Sequence, residues 1–225
     1  MASFKTHFSF GLALGIVSVF SIISLALLPI ELNYFIFIFL SAVIGAVMPD
    51  LDSDTSVPFH IAFGSFALLA GALTCFYMMK AVPGDYLMNG AYTLGAIFTV
   101  WIVIGSIFKK FTVHRGMAHS IPAAVLAGLA VFTVAARTDF DQWSSFLLGF
   151  SFFLGYMIHL ILDEIWAAVN FHGTPFVPNK TLGSALKFFS KSSPVNVFVY
   201  LAIMFLLMEN GQILYGFTIK LLQLI

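Results

Sequence analysis

Residues 143–162, WSSFLLGFSFFLGYMIHLIL, contain no Asp, Glu, Lys or Arg. As a helix rising 1.5 Å per residue, the run spans about 30 Å, the thickness of a bilayer's hydrocarbon core. It predicts a transmembrane helix, and the rest of the chain agrees. Of 225 residues 60% are hydrophobic and 16% aromatic, with 27 Phe and only 9% charged. A mean hydropathy of +1.02 excludes an ordinary water-soluble globule. Ten basic and ten acidic residues cancel, so no global field would recruit nucleic acid. Cys75 is the single cysteine; it excludes a disulfide framework or a cysteine metal cluster and is expected simply to pack.

Six further apolar runs flank this one: Phe8 to Leu28, Tyr34 to Met48, Phe59 to Met79, Ala91 to Phe108, Ile121 to Ala136 and Val195 to Met208. The second, fifth and seventh in chain order are short for a crossing. The expectation is an all-α, polytopic membrane protein of about seven transmembrane helices, forming one integral membrane domain over residues 1–225. The first run lacks a convincing cleavage site and reads as a retained anchor. Glu164 to Pro194 forms the one long polar connection, with 171–194 read as loop. Glu209 and Asn210 interrupt the apolar character before a C-terminal stretch, 209–225, that suits an interfacial or a membrane helix. Tyr34, Tyr86, Tyr92, Trp143 and Trp166, near run ends, read as aromatic-belt residues.

With the N-terminus inside, Lys5, Lys109, Lys110, Arg115, Lys180, Lys187 and Lys191 fall on the cytoplasmic face, against Lys80 and Arg137 on the other, with Lys220 unassigned. The same parity brings all six histidines and Asp50, Asp52, Asp54 and Asp163 to or beside the cytoplasmic end. Ionisable groups near the membrane are costly, so they pair, bind ions or face a wet cavity.

Four short motifs supply them. GYMIHLILDE, 155–164, stacks His159 and Asp163 four apart on one helical face, with Gly155 extending that face. Near the N-terminus His7, Gly11 and Gly15 repeat the spacing on a small-residue packing face, with Ser3 as a cap. In MPDLDSD, 48–54, Pro49 ends a helix before three aspartates; a calcium loop counted from Asp50 fails, because Thr55 and Ile61 stand where Gly and Glu are required. HRGMAHS, 114–120, is a loop presenting His114 and His119, followed by a Ser120 cap and Pro122 in the next helix's first turn. Imidazole and carboxylate ligands of this kind suit zinc first, with manganese or iron as alternatives, as one ion or, by preference, two. The expected ligands are His7, Asp50, Asp52, His114, His119, His159 and Asp163, and Arg115 is expected to steady an anionic substrate. His60, His172, Asp54 and Glu164 read as interfacial, loop, capping and solvated residues.

The order of an early histidine, PDLD, HRGMAHS and GYMIHLILDE followed by TPFVP at 174–178 resembles the YdjM family of membrane-bound metal-dependent hydrolases. The resemblance runs from about residue 7 to 190 and falls on the same seven ligands. Ser53 stands where family members often carry histidine. The resemblance implies a bacterial inner-membrane protein and a metal-dependent hydrolase; the site's position among head groups points to a lipid or another membrane-associated ester or phosphoester as substrate, with membrane lipids as partners. A histidine-nucleophile lipid phosphatase fails, since Phe153 occupies the required arginine position six residues before His159. Two other readings remain open: a metal or proton-coupled transporter, which ligands at helix ends rather than mid-membrane disfavour, and a noncatalytic protein with a structural metal.

Overall fold

A computed structural model describes residues 2–25, 32–52, 57–106, 116–168 and 183–216. Among them there is no strand, and seven apolar helices of ten residues or more are present. These are α1 (Phe4–Ser24), α2 (Leu32–Val47), α3 (Val57–Ala81), α4 (Tyr86–Phe98), α5 (Ile121–Ala135), α6 (Gln142–Ala168) and α7 (Ser193–Glu209). Five spans are long and apolar enough to cross a membrane: Phe4–Ser24, Tyr34–Leu51, Phe59–Ala81, Tyr86–Ile104 and Gln142–Ala168. The second run, short in the sequence, reaches crossing length because a 3-10 turn, Met48–Asp52, carries it on past Pro49. Helices α5 and α7 remain shorter.

The chain divides into two compact units, Met1–Pro49 with Arg115–Ile225, and Asp50–His114. In the first, α6 is the hub, packing on α1, α2 and α5, while α7 rests on α5. Small residues allow these approaches. A Cβ on Gly155 of α6 would collide with the Ala42 carbonyl and lie 2.9 Å from the Ala46 nitrogen in α2. At the α5–α6 crossing, Gly128 faces Gly149, and a Cβ on either would press on the other's carbonyl oxygen. The expected small-residue face of α1 is also present, with His7, Gly11 and Gly15 all buried. Side chains of Ile22, Phe35, Ile38 and Leu147 fill the core away from these crossings.

The Glu209-Asn210 interruption has a packing role. Asn210 ends α7 and sends its side-chain amide to the Thr133 hydroxyl of α5 at 2.8 Å, with both residues buried. Arg137 and Glu209 form an exposed ion pair at 2.6 Å beside them. The second unit is a hairpin of α3 and α4, with Gly64 against Trp101 and Gly71 against Ile97. Here α4 continues into a π-helical turn, Thr99–Ile104, which nothing in the apolar pattern announces. Cys75 lies half-buried in α3.

The long polar connection begins later than the sequence suggests, because α6 runs on through Glu164 to Ala168. Glu164 is not merely solvated: its carboxylate accepts the backbone N–H of Gly183 and, at 3.3 Å, that of Ala185.

Candidate metal centre

The HLILD face of α6 forms the floor of the site. His159 and Asp163 lie one turn apart, 0% and 2% exposed. The His159 Nδ1 stands 2.8 Å from the carbonyl oxygen of Ala46 in α2. A carbonyl only accepts, so Nδ1 carries the proton and Nε2 the lone pair; this is the outer hydrogen bond that orients metal-binding histidines. Gly155 makes the contact possible by letting α2 and α6 approach.

Helix α1 supplies His7. Ser3 caps the helix by accepting the Thr6 N–H at 3.3 Å, which places His7 in the second turn. The His7 ring lies flat on that of His159, centroids 3.7 Å apart and planes 15° apart, with Nε2 3.4 Å from Asp163 Oδ1. Oδ1 also accepts the Ala2 backbone N–H at 3.1 Å. The loop before α5 supplies His119. Ser120 accepts the Ala123 N–H at 3.3 Å, and Pro122 sits in the first turn, as the sequence indicates. The Tyr156 hydroxyl donates to the Ala118 carbonyl, so α6 also fixes the residue next to His119. His119 is 1% exposed; its Nε2 lies 4.0 Å from Asp163 Oδ2 and its ring meets His159 edge-on at 5.5 Å.

Three imidazoles and one carboxylate thus share a space almost closed to solvent. Two imidazolium charges in such a stack would repel by roughly 4 kcal/mol at an effective dielectric of 20. Neither ring nitrogen of His7 and not Oδ2 of Asp163 has a hydrogen-bond partner, although all are buried. Such orphaned atoms carry a desolvation penalty of roughly 1–3 kcal/mol each. A cation would relieve it. One ligand atom each from His7, His159 and Asp163 lies within 4.8 Å of the others, close enough for a common ion. The donor set fits a divalent metal of the zinc, manganese and iron group.

Of the seven expected ligands, the first unit therefore unites His7, His119, His159 and Asp163. Asp50 opens the second unit, half-buried in the 3-10 turn; Asp52 closes that turn, and only its backbone is described. His114 and Arg115, like Asp54 and His172, lie outside the described residues. His60, exposed in α3, packs against Phe59 and Trp101 and joins no ligand group among the described residues. Sequence reasoning missed three supports: the Ala46 carbonyl, the Ala2 amide and Tyr156. Only Tyr156 had a signal, lying three residues before His159.

The family model for the YdjM inner membrane protein matches residues 1–224. The chain belongs to this family. No curated protein and no solved structure matches it. Membership of the YdjM family and the apolar helices together make this an integral membrane protein.

Proposed function

We propose that the chain is a membrane-embedded metal-dependent hydrolase acting on an ester or phosphoester of a lipid or other membrane-associated substrate. The observation that carries this reading is the convergence of His7, His119, His159 and Asp163 from three separate chain segments into one buried cluster, in which the His7 ring nitrogens and Asp163 Oδ2 have no hydrogen bond. Zinc is the preferred ion, with manganese and iron as alternatives; Asp50, Asp52 and His114 are the candidates for a second ion. A bound divalent ion in such a site supplies Lewis acidity and acidifies water toward neutral pH.

The chain's own residues do the rest. The Ala46 carbonyl holds the His159 tautomer, Tyr156 steadies the His119 loop, and the α1 cap places His7. Arg115, four residues before His119, is the candidate anchor for the substrate's anionic group. In this reading all seven helices cross, with the N-terminus and the cluster cytoplasmic. Helix α5 then covers only about 22 Å, which a locally thinned bilayer accommodates.

Elemental analysis of protein purified without chelator tests the reading, followed by turnover on a panel of lipid and soluble phosphoesters. Wild type is expected to retain near-stoichiometric transition metal and to hydrolyse a panel member, whereas inserted His159→Ala and His119→Ala proteins lose both. Metal-free wild type would refute the site. The nearly complete burial of the four ligands favours a second reading, a structural ion that staples α1 to α6 and to the loop before α5. Tightly held metal, loss of stability on chelation and no turnover across the panel would select it.

A further inference from the structure

Two rails of residues spaced four apart run side by side along the C-terminal half of α6. Gly155, His159 and Asp163 form one and bear ligands; Phe152, Tyr156, Leu160 and Glu164 form the other, about a quarter-turn away. A non-helical strap, residues 183–187, lies along the second rail. At one end Gly183, at a φ of 78° that favours glycine, and Ala185 donate their N–H groups to the Glu164 carboxylate. In the middle the Ala185 side chain is buried in one cluster with Ala124 of α5 and Phe152, Tyr156 and Leu160 of α6. At the other end the Lys187 carbonyl accepts the Ile121 N–H at 3.1 Å.

Two of these ties reach the loop that carries His119. Ile121 opens α5 two residues after this ligand, and its N–H is one of the first-turn donors that find no partner inside a helix. Ser120 serves the Ala123 N–H, and the strap serves that of Ile121. Tyr156, in the Ala185 cluster, donates its hydroxyl to the Ala118 carbonyl on the other side of the ligand. The strap therefore bears on His119 from both flanks. Its own anchor is Glu164, since a carboxylate accepting N–H groups makes bonds roughly twice as strong as neutral ones.

We infer that Glu164 is a positioning residue for the metal centre: through the 183–187 strap it fixes the loop that carries His119, and so sets how firmly that ligand is held. The inference rests on reading the cluster as a metal centre, and it holds for a catalytic and for a structural ion alike.

Zinc alone, with full-length protein in detergent micelles, is the probe. Competition with a chelator is expected to show Glu164→Ala protein holding zinc about 10-fold less tightly, the lower end of what loss of an outer-shell partner does. Glu164→Gln, whose amide oxygen can serve one of the two N–H groups, is expected to fall between. Ala185→Asp detaches the strap independently, because a second carboxylate is too costly in an apolar cluster beside Glu164. Both substitutions break the same link, so the double variant is expected to bind zinc no more weakly than the weaker-binding single variant. Losses that multiply would mean general loosening and overturn the inference, as would unchanged zinc binding in Glu164→Ala protein. Hydrogen exchange in zinc-free protein reads the coupling without the metal. Peptides covering 116–123 and 183–187 are expected to exchange faster in Glu164→Ala protein, while those covering 8–24 of α1 stay as in wild type. Unchanged exchange over 116–123 overturns the inference and leaves the metal reading standing; wild type that binds no zinc refutes the metal reading, and the inference with it. Should Glu164→Ala protein fail to fold, Glu164→Gln carries the same comparisons.

Discussion

Replacing Gly155 by alanine should separate the role of helix approach from that of the ligands themselves. The added methyl would meet the backbone of α2, colliding with the Ala42 carbonyl and lying 2.9 Å from the Ala46 nitrogen and 3.0 Å from the Ala42 carbonyl carbon. No rotamer change relieves a clash between a Cβ and main-chain atoms, so α2 and α6 must part by a sizeable fraction of an ångström or more. Overpacking costs about 1–3 kcal/mol, and an immovable neighbour puts this site near the upper end. Alanine returns up to about 1 kcal/mol through its better helix propensity. The expected net loss is about 2 kcal/mol.

The same displacement would stretch the 2.8 Å contact between His159 Nδ1 and the Ala46 carbonyl. Loss of such outer-shell partners typically weakens metal binding by about 10- to 100-fold. Unfolding in mixed detergent micelles reads the first quantity, and competition with a chelator reads the second. Gly95→Ala is the control, because a Cβ there meets nothing within 4 Å; it should be neutral or slightly stabilising and leave metal binding unchanged. If Gly155→Ala matched this control in both assays, the close α2–α6 crossing could not be what orients His159.

Tyr156→Phe removes the hydroxyl that donates to the Ala118 carbonyl and should lower stability by about 1–2 kcal/mol, with weaker metal retention under chelator challenge; unchanged retention would deny Tyr156 a part in placing His119. Asn210→Leu deletes the buried amide that binds Thr133, so thermal unfolding should shift by about 1–2 kcal/mol while metal content stays at the wild-type level. At the start of α6, Asp141 is only partly desolvated, which opposes ionisation, but hydrogen bonds from Ser144 and the Trp143 amide outweigh this and hold its carboxyl below the usual 3.8. A depressed folded value contributes stability that is present above the unfolded pKa and is lost as pH falls below it, so wild type should lose stability below about pH 4. Asp141→Asn should flatten that part of a melting-temperature profile, and an unchanged profile would exclude the cap as its source.

The sequence disclosed most of what depends on local spacing. An i, i+4 repeat needs no tertiary knowledge to place His159 above Asp163, and Ser3, Ser120 and Pro122 announce helix starts by the backbone groups they satisfy or lack. The hub role of α6 was legible only as serines and glycines inside an apolar run, since pattern alone does not say which neighbour uses them. Main-chain partners stayed hidden for a different reason. The Ala46 carbonyl and the Ala2 amide belong to residues whose side chains say nothing about hydrogen bonding, so only the crossing of α1, α2 and α6 reveals them. Glu164 misled because a carboxylate at a helix end usually faces water, whereas here a loop more than fifteen residues downstream returns its amides to it. A mid-helix π turn such as Thr99–Ile104 leaves no mark in hydropathy at all.

Charge balance ties the candidate metal centre to its surroundings. If the imidazoles are neutral, the set His7, His119, His159 and Asp163 carries a single negative charge, that of Asp163, in a space almost closed to solvent. The Ala2 N–H stabilises one of its oxygens, but the other has no hydrogen bond, and a buried carboxylate left in that condition is costly. Protonating His7 would supply a counter-charge to Asp163 but would place a cation flat against His159 and deprive the cluster of a lone pair. A divalent ion meets the carboxylate and the imidazoles together, leaving an excess of one positive charge unless a further carboxylate joins it. That excess would favour an anionic group, the property that distinguishes a phosphoester from a neutral carboxylic ester. The turnover panel should therefore favour phosphoesters over uncharged esters of similar size, and a preference for the uncharged compounds would mean that another carboxylate neutralises the ion.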